Sequence, residues 1–372
     1  MSFFVRKLIL CILLPSYLCN TAFSCKSPDP TPEEPDVAET VYVGSDDGKL
    51  YSIDVASGNK KWEFITFGLA VYSCPTTANG IVYMSSNNVL YAVDATTGSR
   101  KWDYKLGIGI SNSSPTVVDG TVYIGGADKN VYAIDAITGS KKWEFATGNY
   151  ILSSPTVING VVYVGSWDSK VYALDTSTGT QKWEFNTGAL LYCNLAVHDN
   201  TVFINSNGKL YALNALTGAI KWTYTADGNS YSSPTIANGI VYLGIGFNFY
   251  AIDESTGKLR WKVSSTYHAE SSPAVVNGIV YVGLNYSDVY ALDAITGSEK
   301  WNFKTYGLVI SSPVVVNGIV YVGSQDSNLY ALNAATGVKR WQFATKGPVY
   351  TSPCVVTRKG VVYHPGISGD QQ

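Results

Sequence analysis

The residues in this chain that could do chemistry are three histidines, six cysteines and a recurring Asp-x-x-Thr-Gly phrase. Histidine could move protons or bind metal, cysteine could attack a carbonyl or ligate zinc, and aspartate could hold calcium. His198 falls at a hairpin turn, His268 in a loop and His364 in the tail, so no two have ligand spacing. Cys74, Cys193 and Cys354 include no CxxC or neighbouring pair, which supports neither a zinc site nor a disulfide framework; they read as small buried thiols. The serines of "SSP" recur at one slot, and repetition there argues for packing over a nucleophile. "GIGI" (107–110) and "GIGF" (244–247) lack the following helix that a phosphate-binding loop requires. In the Asp-x-x-Thr-Gly turn the carboxylate can accept backbone N–H bonds. Asn214 and Asn333 replace it in two copies, and an amide is a poor calcium ligand, so the turn reads as structural. Neither a catalytic constellation nor a metal site is expected.

The elements that carry these residues repeat. "YALDAITGSEKWNF" (290–303) has near-copies that place Trp62, Trp102, Trp143, Trp183, Trp222, Trp261, Trp301 and Trp341 at intervals of 39 to 41 residues. Ten residues before each Trp stands Ala, or Ser52 in the first copy; four before it stands Gly, from Gly58 to Gly337. Periods of this size mark repeat architectures. Each unit reads as four strands, as in "SSPVVV" (311–316), "IVYVGS" (319–324), "LYALNA" (329–334) and "KRWQFAT" (339–345). Asn-Gly between the first two is a strong hairpin signal, because both residues tolerate positive φ. The expectation is an all-β, eight-bladed β-propeller of four-stranded antiparallel blades. A buried Trp covers roughly 150–250 Å², worth about 4–6 kcal/mol at about 25 cal/mol per Å², so the eight tryptophans act as wedges between blades.

Ring closure follows from the ends. The first blade begins at "VYVG" (41–44) without an inner strand, and "VYTSPCVV" (349–356) is an inner strand without a following blade. Their pairing removes two sheet edges. "GVVYHP" (360–365) imitates a second strand and competes for the same place, but the N-terminal segment is expected to take it, because that segment runs into its own hairpin.

Composition agrees with this architecture. The 372 residues are 46% hydrophobic, with 27 Tyr, 9 Trp and 35 Gly, which favours strands and tight turns. A net charge of −2 offers no basic face for nucleic acid. At the N-terminus, Arg6 and Lys7, the apolar "LILCILLPSYL" and the small residues of "AFSC" have the layout of an export signal cut after Ser24. "AFSC" resembles a bacterial lipobox, which would make Cys25 a lipidated N-terminus; plain secretion is the alternative. "KSPDPTPEEPDVAET" (26–40) reads as a solvated tether. The expected organisation is a signal peptide at 1–24, anchor cysteine and linker at 25–40, propeller at 41–359 and tail at 360–372.

The pattern A-x-D-x-x-x-G-x-x-x-W resembles the tryptophan-docking motif of the pyrroloquinoline-quinone (PQQ) type propeller repeats, over residues 41 to 356. The resemblance implies that each Trp packs on the glycine turn of a neighbouring blade. Single-domain, lipid-anchored propellers of this kind serve the outer-membrane β-barrel assembly machinery. That likeness implies a monomeric, non-enzymatic interaction scaffold at the cell envelope, with a membrane contact through its anchor and a protein partner in that machinery. The family also contains quinoprotein dehydrogenases, which add long insertions, a neighbouring-cysteine disulfide ring and a carboxylate-rich calcium site. Here the repeats are nearly uniform, and Asn112 and Glu270 are the chief polar candidates on one face. One carboxylate cannot hold Ca²⁺ and also serve as the base, so no cofactor is expected.

Positions that vary among copies are free for binding. Just before the inner strands stand Tyr72, Asn112, Leu152, Tyr192, Tyr231, Glu270, Ile310 and Tyr350; a second loop set carries Trp167, Phe247, Tyr286 and Gln325. Both sets should open on one face. Its aromatic, weakly charged composition suits a protein interface or a sugar-stacking surface, with plugging of the channel mouth as the plainer alternative. The fourth blade departs most from the repeat: "LLYCNLAVHDN" (190–200) replaces "SSPTVVNG", with Trp167 in the preceding loop of the same unit, which marks a candidate partner-facing sector.

Overall fold

In the computed structural model, residues 38–67, 70–107, 112–229 and 231–363 are described, and every regular element among them is a strand. Cys25 and the rest of the N-terminal segment, Gly68, Leu69, residues 108–111, Ser230 and the tail from His364 onward lie outside the described residues.

Alternation of apolar and polar residues, punctuated by left-handed turns, makes each unit fold on itself. In the second blade the inner strand Thr76–Ala78 pairs with Ile81–Ser86, then Val89–Asp94, then the outer strand Arg100–Lys105. Asn79 and Gly80 both hold positive φ between the first two strands (51° and 73°), as a type I′ turn demands. Six further sheets repeat this order, and an eighth combines the two ends of the chain. There, Ala38–Ser45 pairs with Cys354–Thr357, with Val41 opposite Val355 and Tyr42 opposite Cys354. The fold is an eight-bladed β-propeller, closed between its N- and C-terminal strands. The segment expected to compete for closure takes another place: Val362–Tyr363 pairs on the far edge of Cys354–Thr357, giving the closing blade a fifth strand.

The second and third strands are almost wholly buried and form the clusters between blades, such as Val82, Met84, Tyr91 and Val93 with Leu50 and Val71. Outer strands begin with two exposed residues and then alternate exposed with half-buried or buried ones, as edge strands facing water should. In each blade the register slips beside the residue paired with the docking Trp, for example between Ala133 and Ile134. This bulge re-aims the Trp toward the next blade.

Each indole lies on the glycine turn of the following blade and donates Nε1–H to a carbonyl there. Trp62 reaches Ala95 at 3.0 Å, Trp102 reaches Ala136 at 3.1 Å, and Trp143 reaches Thr176 at 2.8 Å. Trp183, Trp222, Trp261 and Trp301 repeat the contact on Ala215, Glu254, Ala294 and Ala334. A methyl at Gly337, whose φ is +72°, would stand 2.7 Å from the Trp301 ring, so glycine is required both by conformation and by space. In six blades the tyrosine at the "VYVG" slot shares the same acceptor, while Phe203 has no hydroxyl and Tyr321 makes no such bond. Tyr83 donates to Ala136 at 2.9 Å and Tyr281 to Ala334 at 3.1 Å.

The "SSP" phrase proves to be a hydrogen-bonding device, and this shortens the expected inner strand from 311–316 to Val314–Val316. The first serine clamps its own blade: Ser311 Oγ accepts Gly323 N–H at 3.0 Å, and Ser113 Oγ accepts Gly125 N–H at 3.0 Å. The second binds the preceding blade. Ser114 Oγ accepts from Cys74 N–H, Ser154 Oγ from Ser114, Asn194 Oδ1 from Ser154 and Ser233 Oγ from Asn194. Ser272, Ser312 and Ser352 continue the series, and Cys74 Sγ accepts from Ser352 N–H at 3.2 Å. Eight such bonds close a girdle around the axis. It fixes the connectors that carry the candidate residues.

Candidate binding face

Connectors entering the inner strands and loops joining second to third strands open at one end of the propeller. Tyr72, Tyr192 and Tyr231 stand on the connectors, each about two-fifths exposed (39%, 40% and 40%). Their rings meet other rings. Tyr150 lies 5.9 Å from Trp167, Trp167 5.3 Å from Tyr192, and Tyr192 5.5 Å from Tyr231, a continuous run of four aromatics. Such offset and edge contacts add roughly 0.5–1.5 kcal/mol per pair. The rings therefore hold one another in place while keeping a wet face.

A second run joins Phe247 to His268 at 4.3 Å and Tyr267 to Tyr286 at 5.2 Å, with Tyr267 edge-on to His268. Tyr350 and Tyr72 pair at 5.5 Å across the closing seam. Asn112 is exposed, while Leu152, Glu270 and Ile310 are half-buried; none joins these runs. Burial raises the Glu270 carboxyl above its ordinary range, partly offset by His268.

The departing segment sits elsewhere than expected. Ala196–His198 is the inner strand of the blade that ends at Trp222, whereas Trp167 belongs to the loop of the blade before it. The two features straddle a blade boundary instead of sharing a unit. Above the blade that ends at Trp222, Ala189, Leu190 and Tyr192 of the connector entering it, Asn207 of its loop, and Asn229 and Tyr231 of the connector leaving it line a cavity of about 310 Å³. His198 ends that inner strand on the opposite side of the ring, where Nδ1 lies 2.6 Å from Glu254 Oε1 of the next blade. It bridges blades in place of a repeat contact.

Sequence reasoning missed Tyr150, Tyr267 and His268 as members of the aromatic runs, and Leu190, Asn207 and Asn229 as cavity lining. Tyr150 and Tyr267 lie two and three residues before the aligned slots, so a column-by-column reading passes over them. The girdle was legible in principle from the recurrence of the second "SSP" residue, where Asn194 and Cys74 are the substitutes.

The polar donors on this face do not fit a quinone–calcium centre. Among the described residues, no three His, Cys, Asp or Glu side chains converge as a metal would require, and Glu270 is the lone half-buried carboxylate of the connector set.

A family model described as outer membrane protein assembly factor BamB matches residues 35–147, 105–194, 186–246 and 246–370, nearly the whole propeller. The chain belongs to this BamB-like, PQQ-type repeat family. No curated protein sequence matches it significantly. Among solved structures, the BamB-like propeller is similar to BamB from Moraxella catarrhalis, with 19% identity, TM-score 0.65, and coverage of 80% of this chain and 97% of that one. It is similar also to the quinohemoprotein alcohol dehydrogenase from Comamonas testosteroni, with 17% identity, TM-score 0.66 and coverage of 77% and 70%. The computationally designed Ika8 protein gives 18% identity, TM-score 0.67 and coverage of 80% and 97%. At these identities the likeness is one of fold, shared by an assembly factor, a redox enzyme and a designed ring.

Proposed function

We propose that this BamB-like propeller is a non-enzymatic scaffold of the cell envelope that works in outer-membrane protein assembly. It is held at the membrane by a lipid on Cys25 and the tether that follows. The observation that carries this reading is the run Tyr150–Trp167–Tyr192–Tyr231 beside its cavity. Aromatic rings already packed against one another lose little freedom on binding, which is the property of interface anchors. The cavity suits one apolar side chain of a partner, with the Asn207 and Asn229 amides placed for its backbone.

The test is cross-linking of the anchored protein in envelopes, followed by mass spectrometry, for the wild type and a Tyr192→Ser, Tyr231→Ser variant. Capture of barrel-assembly components by the wild type, lost in the variant at equal protein level, is the expected result. Capture that the double substitution leaves unchanged rejects the aromatic run as the contact. Cys25→Ser should move the mature protein to the soluble fraction.

A second reading rests on the cavity lining. Two tyrosine rings and two amides, without a charge, are also the equipment for a neutral sugar, whose C–H face stacks on the ring while its hydroxyls bond the amides. Saturation-transfer NMR with envelope polysaccharide fragments distinguishes it, because the protein-scaffold reading predicts no transfer that depends on Tyr192 and Tyr231.

A further inference from the structure

The repeat places serine at six of the eight girdle positions, Asn194 at one and Cys74 at the remaining one. A second thiol, Cys354, occupies the inner-strand slot that holds Thr76, Thr116, Thr156 and Thr235 in other blades. Both departures fall at a single seam. Cys354 belongs to the closing blade and Cys74 to the blade after it, where the C-terminal end of the ring meets the N-terminal end.

The repeat geometry fixes how these two side chains approach. In other blades the threonine of the Cys354 slot reaches the carbonyl of the proline next to the girdle residue of the following blade: Thr116 Oγ1 to Pro155 O at 2.6 Å, Thr235 Oγ1 to Pro273 O at 2.8 Å. At the seam this slot turns Cys354 toward the second blade, where its thiol meets the Thr77 backbone, three residues past Cys74. In return, Cys74 Sγ lies 3.2 Å from Ser352 N, two residues before Cys354. Each thiol thus lies against the backbone segment that carries the other, Cys74 on its connector and Cys354 on its inner strand. Burial pushes the Cys354 thiol well above its ordinary range, the neighbouring Cys74 adds to that rise, and a backbone hydrogen bond from Thr77 opposes it. Cys74 is partly exposed, whereas Cys193 is buried in another blade with its thiol on Asn205 O at 3.2 Å.

We infer that Cys74 and Cys354 form a redox-controlled disulfide that staples the closing seam of the propeller. The co-reactant is a small-molecule disulfide such as oxidised glutathione, or a disulfide-bearing oxidoreductase. The Cys74 thiolate attacks one sulfur of that disulfide and releases the first thiolate, leaving a mixed disulfide. Cys354 then attacks Cys74 Sγ, passing its proton to the second departing thiol. Two electrons move to the oxidant, which leaves as two thiols, and one S–S bond forms in the protein. The bond links the C-terminal strand to the N-terminal part of the chain, which the closing blade otherwise joins only by pairing Ala38–Ser45 with Cys354–Thr357, so its effect falls on ring opening.

The test uses purified full-chain protein incubated with oxidised glutathione and then alkylated under denaturing conditions. Peptide mapping without reduction should give a Cys74–Cys354 linked peptide with Cys193 alkylated, and oxidation should raise Tm by about 5 °C or more, reversed by dithiothreitol. Cys74→Ser restores the residue used at six equivalent positions. It should keep the Tm of the reduced wild type and lose both the linked peptide and the oxidant-dependent rise. Alkylation of Cys74, Cys193 and Cys354 alike after oxidation, a link through Cys193, or glutathione left on Cys74 with no link to Cys354 would each overturn the inference.

Discussion

Trp341 Nε1–H donates to the carbonyl of Val55, 286 residues earlier in the chain, at 2.8 Å. This contact matches the one Trp62 makes to Ala95 and Trp301 makes to Ala334, yet its acceptor lies on the N-terminal part of the closing blade, which the C-terminal strand reaches only by strand pairing. Packing at the seam is thus the same as packing everywhere else in the ring. The closed ring has no free blade face, which is why eight shallow sheets can be stable together when one could not.

Trp301→Ala should cost about 3–5 kcal/mol, because its ring is 9% exposed and covers Gly337. Gly337→Ala should also destabilise, through positive φ and the clash with that indole. The two should be less than additive, since removing the ring removes the clash. Trp167 is half-buried and holds two ring contacts, so Trp167→Ala should cost less, about 1–2 kcal/mol. Chemical denaturation of the four variants measures all of these; equal losses for Trp301 and Trp167 would contradict the distinction.

Tyr321 supplies a sharper test of the shared carbonyl. Its hydroxyl is buried without a partner, whereas the Tyr281 hydroxyl bonds Ala334. Tyr321→Phe should be neutral or stabilising, and Tyr281→Phe should cost about 1 kcal/mol. Paired thermal melts decide it.

The Asp-x-x-Thr-Gly turns predict an acid limb. Asp94, Asp135, Asp175 and Asp293 are each lowered to about 2. Lys101 and Lys182 are the leading causes at Asp94 and Asp175, and the backbone N–H groups of Thr138 and Thr296 at Asp135 and Asp293. A folded-state value below the unfolded one stabilises above about pH 4, and that stabilisation is lost as pH falls toward about 2. Replacing all four by Asn, as already stands at 214 and 333, should flatten the fall of Tm between about pH 4 and about pH 2. An unchanged acid slope would assign the limb to other carboxylates.

Truncation after Lys346 removes Cys354–Thr357 and should open the ring, with a large loss of Tm and broadened unfolding. Truncation after Lys359 removes only the paired Val362–Tyr363 from the described strands, and should cost little. Loss of cooperativity in the second variant would show that the fifth strand, not the N-terminal strand alone, completes closure.

Blade count, strand order, the tryptophan wedges and the pairing of the two ends were all legible in the amino-acid sequence. They rest on features repeated eight times, so a local pattern of turn residues and alternation is averaged over many copies and stands clear of noise. The variable slots were legible too, because whatever does not build the blade drops out of the repeat. Which of those variable residues meet was settled by packing in three dimensions. Trp167 and Tyr192 are on different blades, and their contact depends on the angle between sheets, which no single repeat encodes. The same holds for Cys74 and Cys354. They are distant in sequence and look unrelated there, and ring closure alone brings them to one seam.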